Sequence, residues 1–370
     1  MTDIPKTISA SPVSPSAPGA LDGPVIGVDV GGTKMAVAVL DGTALRTAPL
    51  RRTDTSTSEA LLAQLEAAIR EAGEAVAVGV ALPSVIDFET GRVRSSVNIP
   101  LTDVPLRAVL RERLGVPVFV DNDATCAALA EAYDDDGELL ARHLVMLTIG
   151  TGVGGGIVIG GRIYRGATGA AAELGHTIVG ADLRTAPFDH GEDFPKPGSL
   201  ESLASGQALN ALSREYGIAP GTTIDRAREG DTGAIAALEL LGRRLGVGIA
   251  NAINTFDPDL IVVGGGVSAA GDLLLEPARE EAARFTLTGV GTRTQISQAR
   301  YGPQAGVRGA ALLAGQEVLL AGQAGLVAGQ AGLADREIVV SASGRRERRP
   351  PDDVTRSSGP RKRRPEDDSV

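Results

Sequence analysis

The chain has a single cysteine, Cys126, in 370 residues. An intrachain disulfide is therefore impossible, and so is a metal site built from several thiolates. Nothing points to an oxidising compartment. No stretch approaches the roughly 18 uninterrupted apolar residues of a membrane-spanning helix. Positive charge is in deficit: 36 Lys and Arg face 46 Asp and Glu, a net charge of −10. Nucleic acid is disfavoured as the main partner, because neutralising phosphates needs clustered Lys and Arg. Lysine is nearly absent; Lys6, Lys34, Lys196 and Lys362 are the whole set. The one lysine inside a glycine-rich turn, Lys34, stands out for that reason. Residues 1–20 lack the basic start and apolar run of a secretory leader, and the chain reads as cytoplasmic.

What remains suits a folded protein. Apolar residues make up 43% of the chain and charged residues 22%, and the length fits two domains better than one core. Residues 1–23, rich in Pro, Ser and Ala, read as a disordered leader, too short and too proline-rich for a winged-helix DNA-binding domain. Apolar runs predict strands at Val25–Val30, Met35–Leu40, Val76–Leu82, Val116–Val120, Leu144–Ile149, Gly156–Ile159 and Leu260–Val263. Helical spacing predicts helices over Ser58–Ala72, Leu106–Leu114, Ala124–Tyr133, Ser202–Tyr216, Ala234–Phe256, 271–284 and 305–320. Strands alternating with helices after a meander predict an α/β fold with largely parallel sheets. The strand–turn–strand–helix theme begins near residue 25 and again near 144, which suggests a duplicated fold. Further on, Ala-Gly-Gln recurs at 314, 321 and 328. Its glycines weaken a heptad zipper, so it reads as the fraying extension of an Ala-rich helix. Residues 341–370 read as a disordered charged tail, and Arg361-Lys362-Arg363-Arg364 as a solvated run rather than a nucleic-acid or lipid contact.

Five motifs carry chemistry. Gly27–Lys34 (GVDVGGTK) approaches a phosphate-binding loop, but its Thr-Lys order and the strand that follows depart from that pattern. A glycine turn between strands still offers backbone N–H groups to a phosphate, and Asp29 can hold Mg²⁺ directly or through water; an ordinary hairpin with a surface lysine is the alternative. Gly150–Gly156 (GTGVGGG) contains a formal GxGxxG, yet a strand follows, so a second phosphate hairpin fits better than a dinucleotide site. At Asn122-Asp123 a strand enters a helix. Asp123 is either an N-cap or a general base that takes a proton from an attacking hydroxyl. Glu173, His176 and Glu201 can accept from vicinal hydroxyls, as a polyol pocket requires, or can be ordinary surface polar residues. The strand ending in Gly264-Gly265-Gly266 suits close approach of a flat ligand such as adenine.

Together, Gly27–Lys34, Asn122-Asp123, Gly150–Gly156, Glu173–His176, Ser199-Leu200-Glu201, Gly264–Val267 and Gly306–Ala314 resemble, in order, the ROK family of sugar kinases and sugar-responsive repressors. The resemblance covers about residues 24–320. It implies an actin-like ATPase (ribonuclease H-like) duplicated fold, with two α/β domains around a cleft. Residues 24–121, completed by the helix near 305–320, would form the smaller domain and 122–304 the larger. Residues 321–370 would be an Ala/Gly-rich extension and tail. The implied activity is ATP-dependent phosphorylation of a hexose, glucose at O6 first. Fructose, mannose, N-acetylglucosamine and N-acetylmannosamine stay open, as does polyphosphate as donor. Asp123 would be the catalytic base, and Asn122, Glu173, His176 and Glu201 would hold sugar hydroxyls. Asp29, Gly31, Gly32, Thr33, Lys34, Thr151, Gly152, Val153 and Gly154 would serve ATP phosphates and Mg²⁺, with Gly265 and Gly266 near the nucleoside. A homodimer or higher homo-oligomer is expected.

Family repressors carry a DNA-binding domain before the first glycine motif; only 26 residues precede Gly27 here, which favours a kinase over a non-catalytic regulator. The family's three-cysteine zinc motif is also missing. Glu192, Phe194 and Ser199 occupy the thiolate positions, so no structural zinc is expected, and His176 becomes a sugar contact rather than a fourth ligand. His190 and Asp193 offer at most an adventitious ion site. The family's usual Pro-Gly pair is Pro83-Ser84.

Overall fold

The computed structural model describes residues 21–96, 98–180 and 194–322. The chain opens with β1 (Val25–Val30), β2 (Lys34–Asp41), β3 (Ala44–Thr47) and β4 (Arg51–Arg52), then α1 (Ser58–Ala72) and β5 (Ala77–Leu82). The hairpin β6 (Ser84–Asp87) and β7 (Arg92–Ser96), helix α2 (Leu106–Leu114), β8 (Val118–Asn122) and α3 (Asp123–Ala132) follow. The second half begins with β9 (His143–Ile149), β10 (Val153–Ile159) and β11 (Arg162–Ile163). Next come α4 (Leu200–Ala204), α5 (Gly206–Glu215), α6 (Thr223–Arg228), α7 (Thr232–Phe256), β12 (Leu260–Gly264), α8 (Asp272–Phe285) and β13 (Gln295–Gln298). A last helix, α9, runs from 305 to 322.

Two sheets carry the same plan. The first has the order β3-β2-β1-β5-β8, with β4 beside β2, and the second has the order β11-β10-β9-β12-β13. In each, three antiparallel strands form a meander and two parallel strands extend it. The duplication suspected from the sequence is therefore real, and this is the actin-like α/β fold.

Alternation along the strands sets the layers. Ile26, Val28, Val78 and Val80 pack outward against Leu61, Leu65, Leu106 and Leu110 of α1 and α2. Their neighbours Val25, Ala77 and Ala81 face inward, onto Ala310 and Leu313 of α9. In the second sheet Val145, Leu147 and Ile149 pack outward on α7 and α8, whereas Leu144 and Met146 face inward on α3. Helices α3 and α9 therefore fill the space between the sheets. Both faces of β5 are covered, which explains its unbroken burial. Small residues make the inner layer possible: a Cβ at Gly79 would collide with the Ala310 carbonyl, and one at Gly309 with that of Cys126. Cys126 is fully buried at this helix crossing.

Helix α1 shows why the sequence folds locally as it does. Thr57 accepts from the Ala60 N–H as N-cap, Leu61, Leu62, Leu65, Ala68 and Ile69 form the buried stripe, and Gly73 ends it at φ 113°. The helix expected over Ser202–Tyr216 is instead two, α4 and α5. Ser205 ends the first and caps the second, accepting from the Ala208 N–H. The break lets the Gly206 N–H donate to the Gly150 carbonyl at 2.8 Å. The first Ala-Gly-Gln repeat lies within α9, where Gln316 donates to the Tyr133 hydroxyl at 2.6 Å, and the second begins in its last turn at 321 and 322; from 323 on, the repeats and the basic run fall outside the described residues, as does the leader through residue 20. Among the described residues, no helix is long and apolar enough to cross a membrane.

Candidate active site

A cavity of about 1060 Å³ opens at the carboxyl ends of the parallel strands of both sheets. Strand alternation supplies its floor. Asp29 and Thr148 hold equivalent places, one residue before the ends of β1 and β9, and both line the cavity.

Asn122 and Asp123 stand where β8 becomes α3. Asn122, not Asp123, is the N-cap: its Oδ1 accepts from the Thr125 N–H at 3.1 Å, and its Nδ2 donates to the Ser84 carbonyl at 3.4 Å. Asp123 is the first helical residue, and its Oδ1 accepts from the Ala124 N–H at 2.8 Å. Burial pushes the Asp123 carboxyl above the usual aspartate range, against the pull of backbone N–H groups. Asp29 is pushed up to about 7, first by burial and second by the negative charge of Asp123. Gly306, at the start of α9, leaves room for this carboxyl; a Cβ there would collide with its Oδ2.

Glu201 lies in the first turn of α4, and its Oε2 accepts from the Val153 N–H at 2.8 Å. Glu173 and His176 flank a short 3-10 turn and are exposed, with His176 Nε2 3.8 Å from Glu173 Oε2. The His176 ring meets Phe194 edge-on at 5.2 Å and 74°, and Lys196 Nζ stands 4.6 Å from the Phe194 centroid. Phe194 thus offers an aromatic edge where the family's zinc motif has a thiol. Glu192, His190 and Asp193 lie outside the described residues. Among the described residues, no group of three or more His, Cys, Asp or Glu side chains is arranged to hold a metal ion. A buried carboxyl whose pKa is raised by a second carboxylate fits a cation that brings other ligands with it, such as Mg²⁺ on a polyphosphate.

The cavity brings together Asp29, Asn122, Asp123, Glu173, His176 and Glu201. Gly152, Val153, Gly154, Gly265 and Gly266 line it as well. Gly31, Gly32, Thr33, Lys34 and Thr151 are not among its lining residues. The first glycine turn instead closes on itself, Gly31 N–H to Lys34 carbonyl at 2.9 Å, and Thr53 fastens it through the Gly31 carbonyl at 2.7 Å. In the second motif only Gly150–Gly152 form the turn. Gly154–Gly156 continue as β10, paired with Thr148, Leu147 and Met146. The lining also holds residues the motifs did not single out, among them Asn98, Thr148 and Gln298, and the turns at Gly169–Ala171 and Gly302–Gly306. Only Gly306, which opens the Gly306–Ala314 motif, carried a sequence signal among these; Pro83 and Ser84, singled out in the sequence, line the cavity too.

The ROK family model matches residues 25–317. The chain is 33% identical over 326 residues to the glucokinase of Halalkalibacterium halodurans, covering 79% of this chain and 95% of that one. It is 35% identical over 318 residues to the glucokinase of Streptomyces coelicolor, covering 79% and 98%. The crystal structure of a ROK family glucokinase from Streptomyces griseus in complex with glucose and AMPPNP shares 33% identity and a TM-score of 0.65, over 80% of this chain and 100% of that one. A family match that runs from the first strand into the last helix, on a fold whose two sheets repeat one strand order, makes this chain a member of the ROK family.

Proposed function

We propose that the protein is an ATP-dependent hexose kinase, with glucose as its sugar and O6 as the acceptor. The observation that carries this reading is Asp123. Its carboxyl sits at a strand–helix junction inside the cavity, one oxygen held by a backbone N–H and its proton affinity raised by burial. A carboxylate so placed takes the proton of an alcohol as that alcohol attacks phosphorus. The glucose and AMPPNP held by the Streptomyces griseus glucokinase supply the ligand classes.

In this reading Asn122 keeps its oxygen for the helix cap and offers its amide N–H₂ to the sugar. Glu201 is fixed by the Val153 N–H and accepts a sugar hydroxyl with its remaining lone pairs. Glu173 and His176 close the sugar end. Gly152–Gly154 face the phosphates, and Gly265 and Gly266 face the nucleoside; Gly31–Lys34 and Thr151 reach the phosphates only as the cleft closes. Asp29 would hold Mg²⁺, which neutralises charge on the phosphoryl oxygens. Residues 24–121 with 305–320, and residues 122–304, act as two bodies whose closure excludes water as a competing acceptor.

The test is sugar-phosphate formation by the purified protein with glucose, fructose, mannose, N-acetylglucosamine and N-acetylmannosamine, with ATP (read also as ADP release) and with polyphosphate as donors. Glucose with ATP is expected to give the highest kcat/KM. Sugar binding with no sugar phosphate formed from either donor would instead mark a sugar-sensing regulator, and overturn the proposal.

A further inference from the structure

Two residues before Asp123, strand β8 carries a second carboxylate that the reaction above does not use. Asp121 is 3% exposed. Burial raises its proton affinity, and the positive charge of Arg165 draws it back. Both of its oxygens are engaged. Oδ1 accepts from the Asn122 N–H at 2.9 Å, and Oδ2 accepts from Arg165 Nε at 2.8 Å.

Arg165 is far away in sequence. It follows β11 and opens the segment that runs through the cavity-lining turn Gly169–Ala171 to Glu173 and His176. The Ala171 N–H donates to the Arg165 carbonyl at 3.1 Å and closes that segment into a loop. The guanidinium lies over the Phe88 ring, Cζ 3.3 Å from its centroid, and Nη2 stands 3.5 Å from Glu317 Oε1 on α9. Arg107 covers Phe88 at 5.1 Å and donates to the Phe88 and Glu89 carbonyls. One planar cation therefore meets the end of β8, the loop after β6, helix α9 and the root of the segment bearing Glu173 and His176.

We propose that Arg165 is a positioning residue for the sugar. It fastens the Glu173–His176 wall of the pocket to the Asn122–Asp123 wall, through Asp121, so that both walls meet one ligand in fixed register. This inference rests on the kinase reading. Arginine suits the task because its rigid fork reaches a carboxylate while its face stacks on a ring; lysine offers one point charge and no plane. A buried ion pair is directional, and removing one partner leaves the other charge uncompensated, which costs stability as well as register. Removing both charges separates the two effects, and a small misplacement at a reacting centre is costly in rate.

The test compares Arg165→Met, Arg165→Lys, Asp121→Asn and the double variant Arg165→Met/Asp121→Asn with wild type. Steady-state kinetics give kcat and KM for glucose and for ATP separately, calorimetry gives glucose affinity, and thermal unfolding gives Tm. Arg165→Met is expected to weaken glucose affinity about tenfold and to lower kcat similarly, with KM for ATP within about twofold. Arg165→Lys should fall between, and the double variant should be no worse than Arg165→Met alone. Glucose affinity within twofold of wild type overturns the inference, as does a Tm loss in which glucose and ATP parameters worsen together. If Arg165→Met does not fold, the near-isosteric Asp121→Asn decides on the same readouts. A wild type that binds glucose but releases no ADP defeats the kinase reading, while the calorimetric arm still judges the clamp.

Discussion

The two sheets follow one strand order but bring opposite chemistry to the cleft. At the ends of β1 and β8 the first sheet offers Asp29 and Asp123. At the ends of β9 and β13, which hold the places of β1 and β8, the second offers uncharged side chains, Thr148 and Gln298, and between them β12 runs out in bare backbone at Gly264–Gly266. Duplication supplied two like scaffolds, and the side chains at or just past the strand ends set which bank is acidic. Burial first, and the negative charge of Asp123 second, raise the cost of ionising Asp29 and move its carboxyl to about 7. In the proposed reaction a polyanion entering the cleft would meet repulsion on the acidic bank and N–H groups on the other, and would need a cation beside Asp29.

The sharpest way to break this contrast is Asp123→Asn. It removes the proton acceptor while keeping shape, and should lower kcat about 10²–10⁴-fold with ATP affinity largely retained; turnover near wild type would remove Asp123 from the reaction. The wild-type acid limb of kcat/KM should also lie above that of a free aspartate, because activity falls as pH drops through a raised pKa. Asp29→Asn comes next, with kcat lowered about 10–100-fold as the cation site weakens.

That variant has a second signature in stability. Folded Asp29 keeps its proton up to about pH 7, whereas the unfolded chain releases it near 4. The stabilisation from this group is therefore present in acid and lost as pH rises through about 7. Ligand-free Asp29→Asn should melt above wild type at pH 8, with the difference closing toward pH 5; parallel Tm curves would show that the buried acid carries no such burden. Thr148→Ala, on the neutral bank, should do least. A single uncharged hydrogen bond is worth about 0.5–1.5 kcal/mol, which corresponds to a two- to tenfold rise in KM for ATP, and a loss as large as that of Asp29→Asn would erase the distinction between the banks.

Much of this was legible in the residues where the signal is local. Helices α1 and α2 begin and end where the caps and apolar spacing put them, at Ser58–Ala72 and Leu106–Leu114. The glycine turns, the Asn122-Asp123 junction and Glu201 all carry local patterns. Asn98, Thr148 and Gln298 do not: each is an ordinary polar residue until the topology brings strand ends from distant parts of the chain to one cavity. The division of α4 from α5 was hidden for a similar reason. Helical spacing continues across Ser205, and only the hydrogen bond from Gly206 to Gly150, a partner 56 residues away, rewards the interruption. The glycines at 154 and 155, which precede the strand expected from Gly156, misled in the other direction. Their composition suggests a loop, yet they lie in a strand; at Gly156 the missing side chain admits α3.

Helix α9 also bears on how the polypeptide is made. Its residues leave the ribosome after every strand of both sheets, yet they cover Val25, Ala77 and Ala81 on the inner side of the first. The amino-terminal portion therefore emerges with its ladder ready and one greasy side bare, and waits through the synthesis of some two hundred further residues for its lid. Among the described residues, the turns translated last complete the first layer to be started, so the amino-terminal sheet is covered late rather than as it emerges.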